Sequence, residues 1–148
     1  MTTVSTAPAV LFVCLHGAAK SLIAARECER RAAARGFVVT CSSAGLEPDP
    51  TVPPPVVSAL ASEGIDVSGY VPAAPTDEMV AAATHIVTFG CDLAAPPSGG
   101  QLVQRWTGVP DVSDGYDAAR AVIIDRVDRL LDEITETSSQ LNHMEKHP

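Results

Sequence analysis

The stretch Val10-Leu11-Phe12-Val13-Cys14-Leu15-His16-Gly17-Ala18-Ala19-Lys20-Ser21 constrains the fold of this chain more than any other. Its apolar opening, Val10 to Val13, reads as a strand buried on both faces of a parallel sheet. The strand ends at Cys14, a loop of small residues follows, and Ser21 opens a segment to Arg35 with the composition of a helix. A strand–loop–helix unit aims loop N–H groups and a helix N-terminus at one spot, which favours an anion. The same field favours the thiolate of a cysteine placed there. Lys20 adds a positive charge, and Ser21 is placed to hydrogen-bond the sulfur. A cysteine at a strand end is, alone, an ordinary core residue. With this loop, Lys20 and Ser21 beside it, the pattern points to a nucleophilic cysteine in an oxyanion cradle.

The 148 residues suffice for one domain with a proper core, and 46% of them are hydrophobic. We expect that domain to span residues 1–137, with residues 138–148 a disordered tail. A formal net charge of -8 argues against a nucleic-acid or anionic-membrane surface. Positive charge must then be concentrated locally, as at Lys20; Arg26, Arg30 and Arg31 read as a solvated helix face. The polar N-terminus has no basic signal-peptide region, and the apolar run after it is too short to span a membrane, so a cytoplasmic location is expected. The four cysteines are expected to be reduced, and no Cys/His spacing suits a metal.

Further along, strands alternate with helices, which implies a parallel sheet covered on both faces. Strands are expected at Val10–Val13, Phe37–Ser42, His85–Phe89 and Leu102–Trp106. Helix one should end at Gly36, helix two should run from Pro54 to Glu63, and Thr76 should cap a third. The closing helix is expected over Ala118–Thr137, with Val122, Ile123, Val127, Leu130, Leu131 and Ile134 buried. Cys28 and Cys41 fall on apolar faces and read as core. The loops after strands one and three meet at the carboxyl edge of such a sheet, which gathers Cys14, Cys91 and the loop bearing Asp111 around one crevice.

Cys14, five residues, then Lys20-Ser21 resembles the cysteine–arginine–serine loop of low-molecular-weight protein tyrosine phosphatases and of the arsenate reductases that share their fold. Ser43-Ala44-Gly45, Gly64-Ile65-Asp66-Val67-Ser68-Gly69, Thr76-Asp77-Glu78-Met79-Val80 and Val87-Thr88-Phe89-Gly90-Cys91 resemble the arsenate reductase branch, in the same order. The resemblance implies a three-layer α/β fold with a four-stranded parallel sheet. It implies that Cys14 attacks the central atom of a tetrahedral oxyanion, arsenate or a phosphate-like ion. The N–H groups of Leu15, His16, Gly17, Ala18 and Ala19, with Lys20, would hold its oxygens, and Ser21 would support the sulfur. Asp111 matches the general acid, though Val112 follows it where the family has proline. Cys91 matches the resolving thiol of the reductases.

The chain also departs from the family: Lys20 stands in place of arginine, Gly17 in place of asparagine, and Ala94-Ala95-Pro96 lacks the further cysteine of related reductases. The expected activity is thiol-dependent arsenate reduction without a bound cofactor, regenerated by thioredoxin or a low-molecular-weight thiol. A small phosphatase and a catalytically weak oxyanion-binding protein are the alternatives.

Overall fold

A computed structural model describes residues 8–17, 19–93 and 99–146, with side chains in the last helix described to Glu136. Four strands, β1 (Ala9–Cys14), β2 (Thr40–Gly45), β3 (His85–Thr88) and β4 (Leu102–Arg105), form one sheet in the order β2-β1-β3-β4. Every pairing is parallel, and β1 is central, with Cys14 opposite Gly45 on one side and Val13 opposite Thr88 on the other. Helices α1 (Lys20–Ala34), α2 (Pro54–Ser62), α3 (Asp77–Ala82) and α4 (Tyr116–Lys146) complete the three-layer α/β architecture.

Alternate residues of β1 feed two cores, as a strand buried on both faces requires. Val10 and Phe12 join the larger one, with Leu22, Ile23 and Cys28 of α1, Val56 and Leu60 of α2, and Ile123, Val127, Leu130, Leu131 and Ile134 of α4. Leu11 and Val13 join the smaller one with Ala44 and Ile86, against which Met79 and Val80 of α3 pack. Trp106 packs edge-on against Phe89 and tilted against Phe12, closing the larger core below the carboxyl edge.

Several boundaries differ from the sequence expectation by a residue or more, and β2 and α4 depart furthest. Strand β2 starts at Thr40 rather than Phe37, because the chain spends residues 36–39 leaving α1. Gly36 takes φ +70, and the Phe37 N–H returns to the Ala32 carbonyl at 2.9 Å, a Schellman-type closure. Helix α4 runs to Lys146, so residues 138–146 of the expected disordered tail continue it instead. No glycine or proline lies between Tyr116 and Lys146 to stop it; the next proline is Pro148, outside the described residues. Elsewhere the punctuation holds: Gly64 follows α2 at φ +80, and Thr76 Oγ1 accepts the Met79 N–H at 3.0 Å.

The arginines of α1 are not simply solvated. Arg31 donates two hydrogen bonds to Asp128, Nε to Oδ1 at 2.7 Å and Nη2 to Oδ2 at 2.9 Å, and Arg35 reaches Asp132 at 2.8 Å. Together with Glu27–Arg120 and Lys20–Asp111, these contacts tie the whole length of α1 to α4 and to the loop leading into it.

The hydrogen bond from Arg31 holds the Asp128 carboxyl below its ordinary 3.8, against the opposing effect of burial. A carboxylate depressed in this way stabilises the fold fully above the unfolded pKa and loses that contribution as pH falls through the lower folded value. Asp128→Asn is therefore expected to cost about 1 kcal/mol of unfolding free energy at neutral pH, the scale of a partly exposed but bidentate pair. Urea denaturation should show the gap between the two proteins closing as pH drops below about 4.

Candidate active site

Cys14 ends the central strand almost fully buried. The chain turns at once through Leu15, His16 and Gly17 and enters α1 at Lys20, with Ala19 as its N-terminal cap. Gly17 carries the turn at φ +66. Its N–H points back at the Cys14 sulfur, 3.0 Å away, and Ser21 Oγ lies 3.0 Å from the same sulfur. Ser21 is fully buried and its hydroxyl also faces the Ala44 carbonyl at 3.4 Å. The sulfur thus meets a backbone N–H and a buried hydroxyl at the mouth of α1. Ala19 contributes no side-chain cap, and α1 has no acidic residue in its first turn, so nothing on the helix competes with an incoming anion there.

The cradle is held from outside by the segment after β2. Leu46, Glu47 and Asp49 donate their N–H groups to the carbonyls of Cys14, Leu15 and His16 at 3.1, 2.7 and 3.1 Å. His16 adds a contact from Nδ1 to the Glu47 carbonyl, 3.2 Å, and lies 3.4 Å from Asp49. His16 therefore braces the outer side of the loop. The close approach needs two glycines. A Cβ on Gly17 would lie 2.7 Å from the Gly45 nitrogen, and a Cβ on Gly45 would lie 2.4 Å from the Gly17 nitrogen. Gly45 was visible in the sequence only as part of a motif; its steric role had no local signal.

Lys20, at the first position of α1, places its ammonium 3.1 Å from Asp111 Oδ1. Asp111 precedes a short 3-10 turn, Val112–Asp114, that leads into α4, and its side chain is 70% exposed. An exposed pair of this kind is worth at most about 1 kcal/mol, so a multiply charged oxyanion can compete with Asp111 for Lys20.

Cys91 sits just past β3, after Gly90 at φ +72. Its thiol donates to the Val13 carbonyl at 3.5 Å, the residue before Cys14. Burial pushes this thiol above its usual range, and the nearby Cys14 adds to the rise. Arg105, at the end of β4, braces the turn through Asp92 at 2.7 Å and the Gly90 carbonyl at 3.2 Å; nothing in the sequence marked it.

The structure thus brings Cys14, Gly17, Lys20, Ser21, Cys91 and Asp111 to one edge of the sheet, with Leu15 exposed on the rim. Ala18, and the residues Ala94-Ala95-Pro96 where a further cysteine was sought, lie outside the described residues. Cys28 is fully buried and Cys41 packs against the same core, as expected. A hydrogen bond with Cys28 and burial raise the Cys41 thiol above its usual range, which disfavours its thiolate. Among the described residues, no group of three or more His, Cys, Asp or Glu stands together to hold a metal ion, and no helix is long and apolar enough to cross a membrane.

Comparison with known proteins agrees with this geometry. A family model described as low molecular weight phosphotyrosine protein phosphatase matches residues 9–95. A Corynebacterium glutamicum thioredoxin-dependent arsenate reductase is similar at 28% identity and a TM-score of 0.78, over 91% of this chain and 65% of that one. The chain thus spans a little under two thirds of that protein's length. An arsenate reductase from Archaeoglobus fulgidus is similar at 27% identity and a TM-score of 0.62, over 83% of this chain and 98% of that one. A low molecular weight protein tyrosine phosphatase from T. tengcongensis shares the fold, at 19% identity and a TM-score of 0.75, over 86% and 99% of the two chains.

Gly17→Ala tests the cradle. A side chain at this left-handed position both strains the backbone, by about 1–3 kcal/mol, and drives the loop off Gly45. Thermal denaturation should show a lower midpoint, and phosphate should protect Cys14 from alkylation in the natural protein and fail to do so in the variant.

Proposed function

The chain belongs to the low molecular weight phosphotyrosine protein phosphatase family, and from that premise we propose that it is a thiol-dependent arsenate reductase. The observation that carries this reading is the second thiol. Cys91 is anchored on the carbonyl of Val13, one residue from the nucleophile, in a position a phosphatase has no need to fill with sulfur. The similarity to two arsenate reductases above one-quarter identity supports the same choice.

The residues allow a balanced sequence. Arsenate enters the cradle, where the N–H groups of the Cys14–Ala19 loop and the first turn of α1 take its oxygens and Lys20 supplies the charge. The Cys14 sulfur attacks arsenic, and one arsenate oxygen leaves as water after taking a proton from Asp111. The Cys91 thiolate then attacks the Cys14 sulfur. A sulfur–sulfur bond forms, the sulfur–arsenic bond breaks, and its electron pair stays on arsenic, which departs as arsenite. The two cysteines lose two electrons and arsenic gains them. An external dithiol or two small thiols return the pair to the reduced state, which suits a reducing, cytoplasmic setting.

Lysine in place of arginine makes this a slower member of its kind. Arginine binds two oxygens of a tetrahedral ion in one plane; lysine offers a point charge on a flexible stem, here turned toward Asp111. Hydrolysis of tyrosine phosphate is a poorer fit, because Tyr116, the first aromatic residue after Asp111, spends its hydroxyl on Glu63 at 2.8 Å.

Steady-state arsenate reduction coupled to thioredoxin, measured beside 4-nitrophenyl phosphate hydrolysis, tests the reading. The natural protein should reduce arsenate. Cys91→Ser should lose at least 100-fold in thioredoxin-coupled reduction, the scale expected when a covalent step loses its nucleophile, while ester hydrolysis changes little. Ester hydrolysis without arsenate reduction would make the protein a phosphatase.

A further inference from the structure

We propose that Glu27, Glu63, Tyr116 and Arg120 form a positioning cluster that holds the Asp111 loop over the oxyanion cradle. The proposal rests on the reading of Asp111 as the acid of that site.

Glu27 lies on α1 two turns after Lys20, on the same face, and is wholly buried. Its Oε2 accepts from Arg120 Nε at 3.1 Å. Its Oε1 lies 2.6 Å from Arg30 Nη2, an ion pair outside hydrogen-bonding geometry. Arg120 continues to Glu63, the residue that caps α2, with Nη2 2.6 Å from Oε1. The Tyr116 hydroxyl donates to the other Glu63 oxygen at 2.8 Å, and Arg30 reaches the first at 3.5 Å. Burial pushes Glu27 upward against the pull of the two arginines. For Glu63 burial also pushes upward, and the hydrogen bonds from Tyr116 and Arg120 outweigh it, so its carboxyl is held low.

A surface helix needs none of this for packing; α1 and α4 already share an apolar seam. What the cluster adds is a fixed origin for α4. Tyr116 is the first residue of that helix and Arg120 stands one turn on. The short turn before it is closed by Asp114 N–H to the Asp111 carbonyl, 3.0 Å, and Gly115 N–H to the Val112 carbonyl, 3.2 Å. Asp111 therefore hangs by a stiff turn from a helix start that is hydrogen-bonded to two other elements. Lys20 and Glu27 thus meet the start of α4 at two levels, one at the substrate and one beneath it. Without the lower contact, Asp111 would be held near the cradle only by the partial packing of Val109 and Val112 on the larger core and by its ion pair with Lys20, and pairs of that kind hold little. None of the four residues reaches the cradle; their effect on chemistry passes through Asp111.

A double-mutant cycle tests this, read on arsenite release and, separately, on 4-nitrophenyl phosphate hydrolysis, so that failure of the reductase reading leaves the cycle intact. Tyr116→Phe keeps the ring and removes only the hydroxyl; Glu27→Gln is the harsher companion, and circular dichroism confirms that each folds. Tyr116→Phe should slow turnover about tenfold with the dissociation constant for inorganic phosphate unchanged. In an Asp111→Asn background the same substitution should cost nothing further, because it acts through the carboxyl already removed. A full additional loss in that background, or equal damage to phosphate binding and turnover, would overturn the proposal and make the cluster a stability element only. If Asp111→Asn alone leaves turnover intact, the acid assignment fails, and the proposal fails with it.

Discussion

The approach of Gly17 to Gly45 is the constraint on which the site depends. The cradle exists because the chain after Cys14 curls back tightly enough for the Gly17 N–H to meet the sulfur. That curl presses the loop against the end of β2, where neither residue has room for a Cβ. The register follows from it. Cys14 pairs with Gly45, and three further N–H groups beyond Gly45 take up the carbonyls of Cys14, Leu15 and His16. With these carbonyls satisfied outward, the Gly17 N–H faces inward to the sulfur, the polarity that an oxyanion would require.

The second support is electrostatic and runs behind the site. Helices α1 and α4 follow parallel strands and lie side by side, so their polar edges meet in order: Lys20 with Asp111, Glu27 with Arg120, Arg31 with Asp128, Arg35 with Asp132. The first pair stands beside the cysteine loop, the second joins a buried carboxylate to a half-buried arginine, and the last two are partly exposed braces. A chain with a net charge of -8 answers the arginines of α1 with carboxylates, Arg31 and Arg35 with Asp128 and Asp132 of α4, Arg26 with Glu29, and Arg30 with Glu27 and Glu63, and leaves Lys20 beside the cysteine loop.

Much of this was legible in the sequence because it was written in short-range chemistry. The run Val10–Val13, the small loop and Lys20-Ser21 specified strand, turn and helix within a few residues, and the observed boundaries follow closely. Thr76 and Gly64 were likewise local signals. What could not be read depended on partners distant along the chain. Glu27 and Arg120 are separated by 93 positions, and neither carries a mark in its neighbourhood; the arginines beside Glu27 looked like solvated surface. Strand β2 began later than its apolar residues suggested, because the closure of α1 takes up Phe37. Helix α4 ran past Thr137 because polarity alone does not stop a helix that meets no glycine or proline.

The proposed reaction requires Cys14 and Cys91 to act as its two thiols. It is tested most directly by a single turnover. The reduced protein is mixed with excess arsenate and no reductant, arsenite is counted, and the alkylated protein is mapped by mass spectrometry. Close to one arsenite per chain is expected, with one new disulfide joining Cys14 to Cys91. No arsenite, or arsenite with the two cysteines still free, would contradict it.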